Sequence, residues 1–113
     1  MSGDAPPDVG RDAQVVVRLP HHLRTLAGLG DAATVRVPVA PPVTIGRILD
    51  ALEARHPSLG GTIRHRADGR RRSHIRYFAA AEDVSFDPTD APIDPAVARG
   101  DAEFRVLGAI AGG

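Results

Sequence analysis

The stretch Thr44-Ile45-Gly46-Arg47-Ile48-Leu49-Asp50-Ala51-Leu52-Glu53-Ala54-Arg55-His56-Pro57 decides the fold. Thr44 is a good N-cap, because its hydroxyl oxygen can accept from a first-turn N–H that has no partner inside the helix. Ile45, Ile48, Leu49 and Leu52 follow at the i, i+3, i+4, i+7 spacing that lines up one apolar stripe. Arg47, Asp50, Glu53 and Arg55 then face water. Pro57 stops the helix near His56, since the residue before a proline is pushed out of the α region. No second helix of comparable strength is written in the chain, so the stripe needs a sheet to cover it.

Upstream, Val15, Val17 and Leu19 alternate with Gln14, Val16 and Arg18, the period of a strand with one buried face. Pro20 ends it. Residues 21–31 form a connector whose Leu23 and Leu26 are expected to tuck under the sheet. Val35, Val37 and Val39 alternate with Thr34, Arg36 and Pro38 in a second strand. Pro38 has no N–H to give to a ladder, so this is an edge strand or holds its proline at a free position.

Downstream, residues 58–65 carry Leu59 and Ile63 and form at most a short turn of helix around Gly60-Gly61. Ala67-Asp68-Gly69 is a turn, and Arg70, Arg71 and Arg72 make a basic patch with Arg76. Ile75, Tyr77 and Ala79 mark a third strand, and Val84 with Phe86 a short fourth. Residues 87–101, rich in Pro and Asp, read as an irregular crossing anchored by Ile93 and Val97. Phe104 and Val106 alternate with Glu103 and Arg105 in the last strand, and Leu107-Gly108 leads out of it.

This order predicts an α+β fold: a mixed four- to five-stranded sheet with one main helix packed on one face. A ferredoxin-like arrangement would need a second strong helix, so the β-grasp order fits best. Residues 1–11 read as a flexible leader, 12–108 as the β-grasp domain and 109–113 as a flexible tail. At 113 residues one domain accounts for the chain.

Composition narrows the function. Fourteen basic and fourteen acidic residues cancel, so the positive field of a nucleic-acid binder is absent. No apolar run approaches the roughly 20 residues of a membrane span, and the acidic start is unlike a secretory signal, so a cytoplasmic location is the default. With no cysteine in the sequence, disulfides, thiolate metal sites and cysteine nucleophiles are excluded. All fourteen basic residues are arginine.

Ala109-Ile110-Ala111-Gly112-Gly113 ends the sequence. Without Cβ atoms, Gly112 and Gly113 can pass a channel too narrow for side chains, and five extended residues reach about 17 Å. Such an end can carry a carboxylate into another protein's active site, where activation requires a partner that holds ATP.

These stretches resemble the ThiS/MoaD family of ubiquitin-like sulfur carriers, including the CysO-type carriers. The similarity lies in Val17-Arg18-Leu19-Pro20, Leu23-Arg24 and Gly28, in residues 43–57, in Asp68-Gly69-Arg70, in residues 82–86, in Gly100-Asp101, in Val106-Leu107 and in residues 109–113. The resemblance implies that the Gly113 carboxylate is adenylated by an ATP-dependent activating enzyme and converted to a thiocarboxylate. It also implies that partners grip Ala109, Ile110, Ala111 and Gly112. The carrier would bind no cofactor and would not itself be a catalyst. Its partners would be the activating enzyme and a sulfur-accepting enzyme, or the large subunit of molybdopterin synthase, with cofactor or cysteine biosynthesis as the destination. A ubiquitin-like modifier conjugated through Gly113 and a small subunit of molybdopterin synthase remain open alternatives. The sequence departs from the family in placing Gly108 where a proline is usual after the last strand.

Other candidate sites are weaker. His21, His22, His56, His65 and His74 lack the spacing of a metal site. Arg70, Arg71 and Arg72 are either a docking patch for an acidic partner or a solvated turn. No carboxylate pair and no nucleophile with a base in reach points to independent catalysis.

Overall fold

The computed structural model describes residues 12–108. Among them the chain forms β1 (Ala13–Arg18), α1 (His21–Leu26), β2 (Thr34–Val39), α2 (Ile45–Arg55), a 3-10 turn (Pro57–Leu59), β3 (Ile75–Ala79), β4 (Glu82–Asp83), α3 (Pro95–Ala98) and β5 (Glu103–Gly108). The five strands lie in the order β2-β1-β5-β3-β4. β1 and β5 are parallel neighbours, and every other pair is antiparallel. This is the expected mixed sheet, with α2 packed across one face.

Helix α2 forms as its sequence demands. The Thr44 hydroxyl accepts from the Arg47 N–H at 3.1 Å, and Ile45, Ile48, Leu49 and Leu52 are all buried. They meet Val15, Val17, Val37, Ile75, Tyr77, Phe104 and Val106 from the inner faces of four strands. Tyr77 and Phe104 lie with ring centroids 5.6 Å apart at 39°, a tilted contact that suits the ring quadrupoles. Leu59 and Ile63, on the segment after α2, close one end of the core.

β2 is an edge strand, the first of the two positions that Pro38 allowed. At the other boundary of the core, Gly100 has φ +85°, and a Cβ there would stand 2.5 Å from the Gln14 carbonyl oxygen. Only glycine lets the turn before β5 lie this close to β1.

Three local expectations are corrected. The connector after Pro20 is the helix α1, in which Leu23 is buried but Leu26 is 47% exposed. Ala27 and Leu29 pack against the core beyond it instead. The fourth strand is Glu82–Asp83 rather than the segment around Val84 and Phe86. The Asp83 carboxylate accepts from the Ser85 N–H at 2.9 Å and bends the chain, so the Ser85 hydroxyl, not a backbone carbonyl, accepts from the Tyr77 N–H. Val84 turns inward and Phe86 is left 78% exposed. The crossing contains α3, which Asp94 caps by accepting from the Ala96 N–H at 2.8 Å and Pro95 starts. Its Val97 is fully buried, the anchor anticipated, and Ile93 packs partly against the core.

Two outcomes test this packing. Leu49→Ala is expected to lower unfolding free energy in urea by roughly 2–5 kcal/mol, as a truncation in a closed core. Burial pushes the Tyr77 phenol up to about 12, against the opposing pull of Arg64 and Arg71. The fold therefore favours the protonated phenol, and that contribution is complete below the unfolded value near 10. It is lost as pH rises from 10 to about 12, because the unfolded chain releases its proton first. Melting temperatures across that window are expected to fall more steeply for the wild type than for Tyr77→Phe.

Candidate functional site

β5 leaves from the middle of the sheet, between β1 and β3, and its last residue Gly108 is paired with Ile75. A Cβ on Gly108 would sit 3.1 Å from His22 Cε1 and 3.4 Å from Ile75 Cδ1. A side chain here would press on the imidazole of α1, which stands close against Gly108. Residues 109–113, including the expected working end Gly113 and the expected grip at Ala109, Ile110, Ala111 and Gly112, lie outside the described residues, as does the leader at 1–11.

The face of the sheet opposite α2 surrounds this root. Strand alternation puts Val16 and Arg18, Glu103, Arg105 and Leu107, and Arg76 and Phe78 on it. The register then sets Arg105 beside both Arg18 and Phe78, and Leu107 beside Arg76. Arg18 holds Glu103 in a two-pronged ion pair with both distances 2.8 Å. That hydrogen bond from Arg18, outweighing partial desolvation, keeps the Glu103 carboxyl below its usual range. Beyond β4 the Phe86 ring is flanked by the Arg71 guanidinium at 4.8 Å and the Arg76 guanidinium at 5.3 Å from its centroid, within range of cation–π attraction. Arg76 also reaches Asp83 at 3.7 Å, and the hydrogen bonds from Ser85 lower the Asp83 pKa. The result is a face that exposes Phe86 and Leu107, with Phe78 and Val16 half-buried on it, among guanidinium groups. Aromatic residues and arginine are the types that carry binding energy at protein interfaces.

The expected arginine patch is divided by the structure. Arg70 is exposed. Arg71 is half-buried and donates to the Ser85 and Ile75 carbonyl oxygens at 3.0 and 2.5 Å. Arg72 donates from Nε to the Gly61 carbonyl oxygen. Arg71 therefore ties the loop after α2 to the sheet, Arg72 closes that loop on itself, and Arg71 joins the outer face through Phe86. Arg64 is likewise internal, bound to Asp50 at 2.6 Å and Glu53 at 3.0 Å. Sequence reading placed Arg76 in a basic patch but did not find Phe86, Leu107 and Arg105 beside it. The outward half of the β5 alternation carried the signal for Leu107 and Arg105, whereas the exposure of Phe86 follows from the bend after β4.

Among the described residues no group of three His, Cys, Asp or Glu side chains is placed to hold a metal ion, and no helix is long and apolar enough to cross a membrane.

No family model and no curated protein matches the sequence, but solved structures do. The small archaeal modifier protein 1 of Haloferax volcanii is 30% identical with a TM-score of 0.65, over 87% of this chain and 99% of that one. A second crystal structure of that protein, SAMP1, gives 27% identity and a TM-score of 0.68 over 89% of this chain and 100% of the other. The BexX/CysO complex of Amycolatopsis orientalis contains a chain 25% identical, with a TM-score of 0.66, over 88% of this chain and 99% of that one. These are small ubiquitin-like carrier and modifier proteins, one of them solved bound to a partner protein. With the β-grasp sheet, the single covering helix and a last strand that exits from the sheet centre, the chain belongs to the ThiS/MoaD family of ubiquitin-like proteins.

Proposed function

We propose that this protein is a sulfur carrier whose Gly113 carboxylate is adenylated by a separate ATP-dependent activating enzyme and then converted to a thiocarboxylate. The observation that carries the reading is the position of Gly108. It ends a central strand beside an apolar, arginine-framed face, and Ala109-Ile110-Ala111-Gly112-Gly113 follows it directly. A partner that covers this face has the tail root at its edge, so docking of the body and capture of the carboxylate are coupled. In the first step a carboxylate oxygen attacks the α-phosphorus of ATP and pyrophosphate leaves. In the second, a sulfur nucleophile attacks the acyl carbon and AMP leaves, so that sulfur takes the place of one oxygen. The carrier needs no cysteine for either step, and the sequence has none.

A second reading is favoured by the identity to the small archaeal modifier protein 1. The same acyl-adenylate could be attacked by a lysine Nζ of a target protein, with loss of AMP and formation of an isopeptide bond. The sequence has no lysine, so a modifier of this kind cannot build lysine-linked chains of itself.

Intact-protein mass spectrometry after incubation with the cognate activating enzyme, ATP and a sulfur donor tests the first reading. An oxygen-to-sulfur mass increase on the C-terminal peptide is expected. Deletion of Gly113, extension beyond it, or Gly112→Val is expected to abolish the increase without moving the melting curve, since the core lies within residues 12–108. Equal loading of the deletion variant would refute it. Covalent adducts on target lysines in place of the sulfur increase would favour the modifier.

The docking face is tested separately. Phe86→Ala combined with Leu107→Ser is expected to raise the KM of the activating enzyme for the carrier about tenfold or more. Arg70→Ala is expected to change it less than about threefold, as an exposed charge. Steady-state kinetics at two salt concentrations measure both, and an unchanged KM for the double variant would remove this face from the proposal.

A further inference from the structure

The end of the sheet remote from the tail root holds a second surface. β3 sets Ile75 beside Gly108 and Ala79 beside Phe104, and Ala79 lines a cleft of about 230 Å³ between the start of α2, β4 and the crossing that follows. Its walls are mixed: Ile45, Val84, Pro92 and Ile93 give apolar side chains, and Glu82, Asp87 and Asp94 line it beside them. The sequence from 81 to 95 contains Glu82, Asp83, Asp87, Asp90 and Asp94 and no basic residue. Asp83 is engaged by Arg76, and Asp94 caps α3 through one carboxylate oxygen. Among the described residues no arginine or histidine pairs with Glu82, Asp87 or Asp94.

The adjacent N-terminus of α2 does not offset this charge with free amides. Its Gly46 N–H donates to the Thr89 carbonyl oxygen at 2.9 Å and its Arg47 N–H to Thr44 Oγ1. The cleft is also smaller than the roughly 300–1,000 Å³ of a typical small-molecule site. A cleft that sets apolar side chains next to three carboxylates matches one kind of group, a long aliphatic stem with a cationic head. A guanidinium suits it best, because its fork can bind two carboxylate oxygens at once.

We infer that this cleft docks a basic segment of a partner protein by taking in one arginine side chain. It lies at the far end of β3 from Gly108, bordering the outer face at Phe86. This site is independent of the chemistry proposed for Gly113.

The test is a titration of the full ¹⁵N-labelled chain, followed by amide chemical shifts. The probes are the peptide acetyl-Gly-Arg-Gly-Arg-Gly-amide and its counterparts with norleucine or glutamate in place of arginine. Saturable shifts at Ile45, Ala79, Val84 and Ile93 are expected with the arginine peptide and with neither counterpart. Glu82→Gln with Asp87→Asn is expected to weaken binding about five- to tenfold, the loss of two exposed charge contacts. Ala91→Leu, which fills the cleft and leaves every carboxylate in place, is expected to weaken it as well, with amides far from the cleft at wild-type positions. The inference is overturned if the arginine peptide does not shift the cleft amides, or if the charge variant binds equally well. It is also overturned if Ala91→Leu binds as the wild type does, which would reduce the effect to diffuse attraction between charges.

Discussion

Every other feature of this molecule depends on the burial of one helical stripe. Ile45, Ile48, Leu49 and Leu52 lose nearly all contact with water against the inner face of the sheet. At about 25 cal/mol per Å² of apolar surface removed from water, such burial is a large favourable contribution. The ion pairs at the surface are minor beside it, since exposed pairs contribute roughly 0–1 kcal/mol. The stripe fixes which face of each strand points inward, and by alternation it fixes what is presented outward. Val15 and Val17 go in, so Val16 and Arg18 go out; Phe104 and Val106 go in, so Arg105 and Leu107 go out. The outer face is in this sense a consequence of the core.

The parallel β1–β5 pair gives the fold its functional direction. A parallel partner for the first strand has to arrive by a crossover, and here the crossover is nearly the whole chain. The last strand fills the gap between β1 and β3 and holds Glu103, Phe104 and Arg105 beside Val16, Val17 and Arg18. The last described residue, Gly108, therefore lies at the sheet centre, against His22 and Ile75. Gly100 makes the insertion possible by letting the backbone pass the Gln14 carbonyl.

Charge is distributed with the same economy. A chain of zero net charge keeps guanidinium groups on the outer face and in the loop after α2, and carboxylates around the cleft at the far end of β3. Several arginines bind oxygens of the body itself, as the carbonyl contacts of Arg71 and the carboxylate contacts of Arg64 show. Arginine suits such places because its fork of donors can satisfy several oxygens at once.

The helix was legible because Thr44, the apolar stripe and Pro57 are local signals that agree with one another. Strands β1, β2, β3 and β5 were legible for the same reason: period-two alternation depends on neighbours along the chain and on nothing else. Segments whose conformation depends on distant groups were not. The bend after β4 rests on Ser85 replacing a backbone partner of Tyr77, and α3, only four residues long, rests on Asp94 and on the burial of Val97. The sequence by itself determined the main helix, strands β1, β2, β3 and β5 with their inward residues, and a glycine-ended segment beyond the last strand, since these follow from local sterics and periodicity. The tertiary structure alone decided that Arg71 and Arg72 turn inward, that Phe86 stands out between two guanidinium groups, and that Glu82, Asp87 and Asp94 converge around one cleft. Those facts depend on which distant oxygens and rings lie within a few ångströms, and spacing along a chain does not encode that.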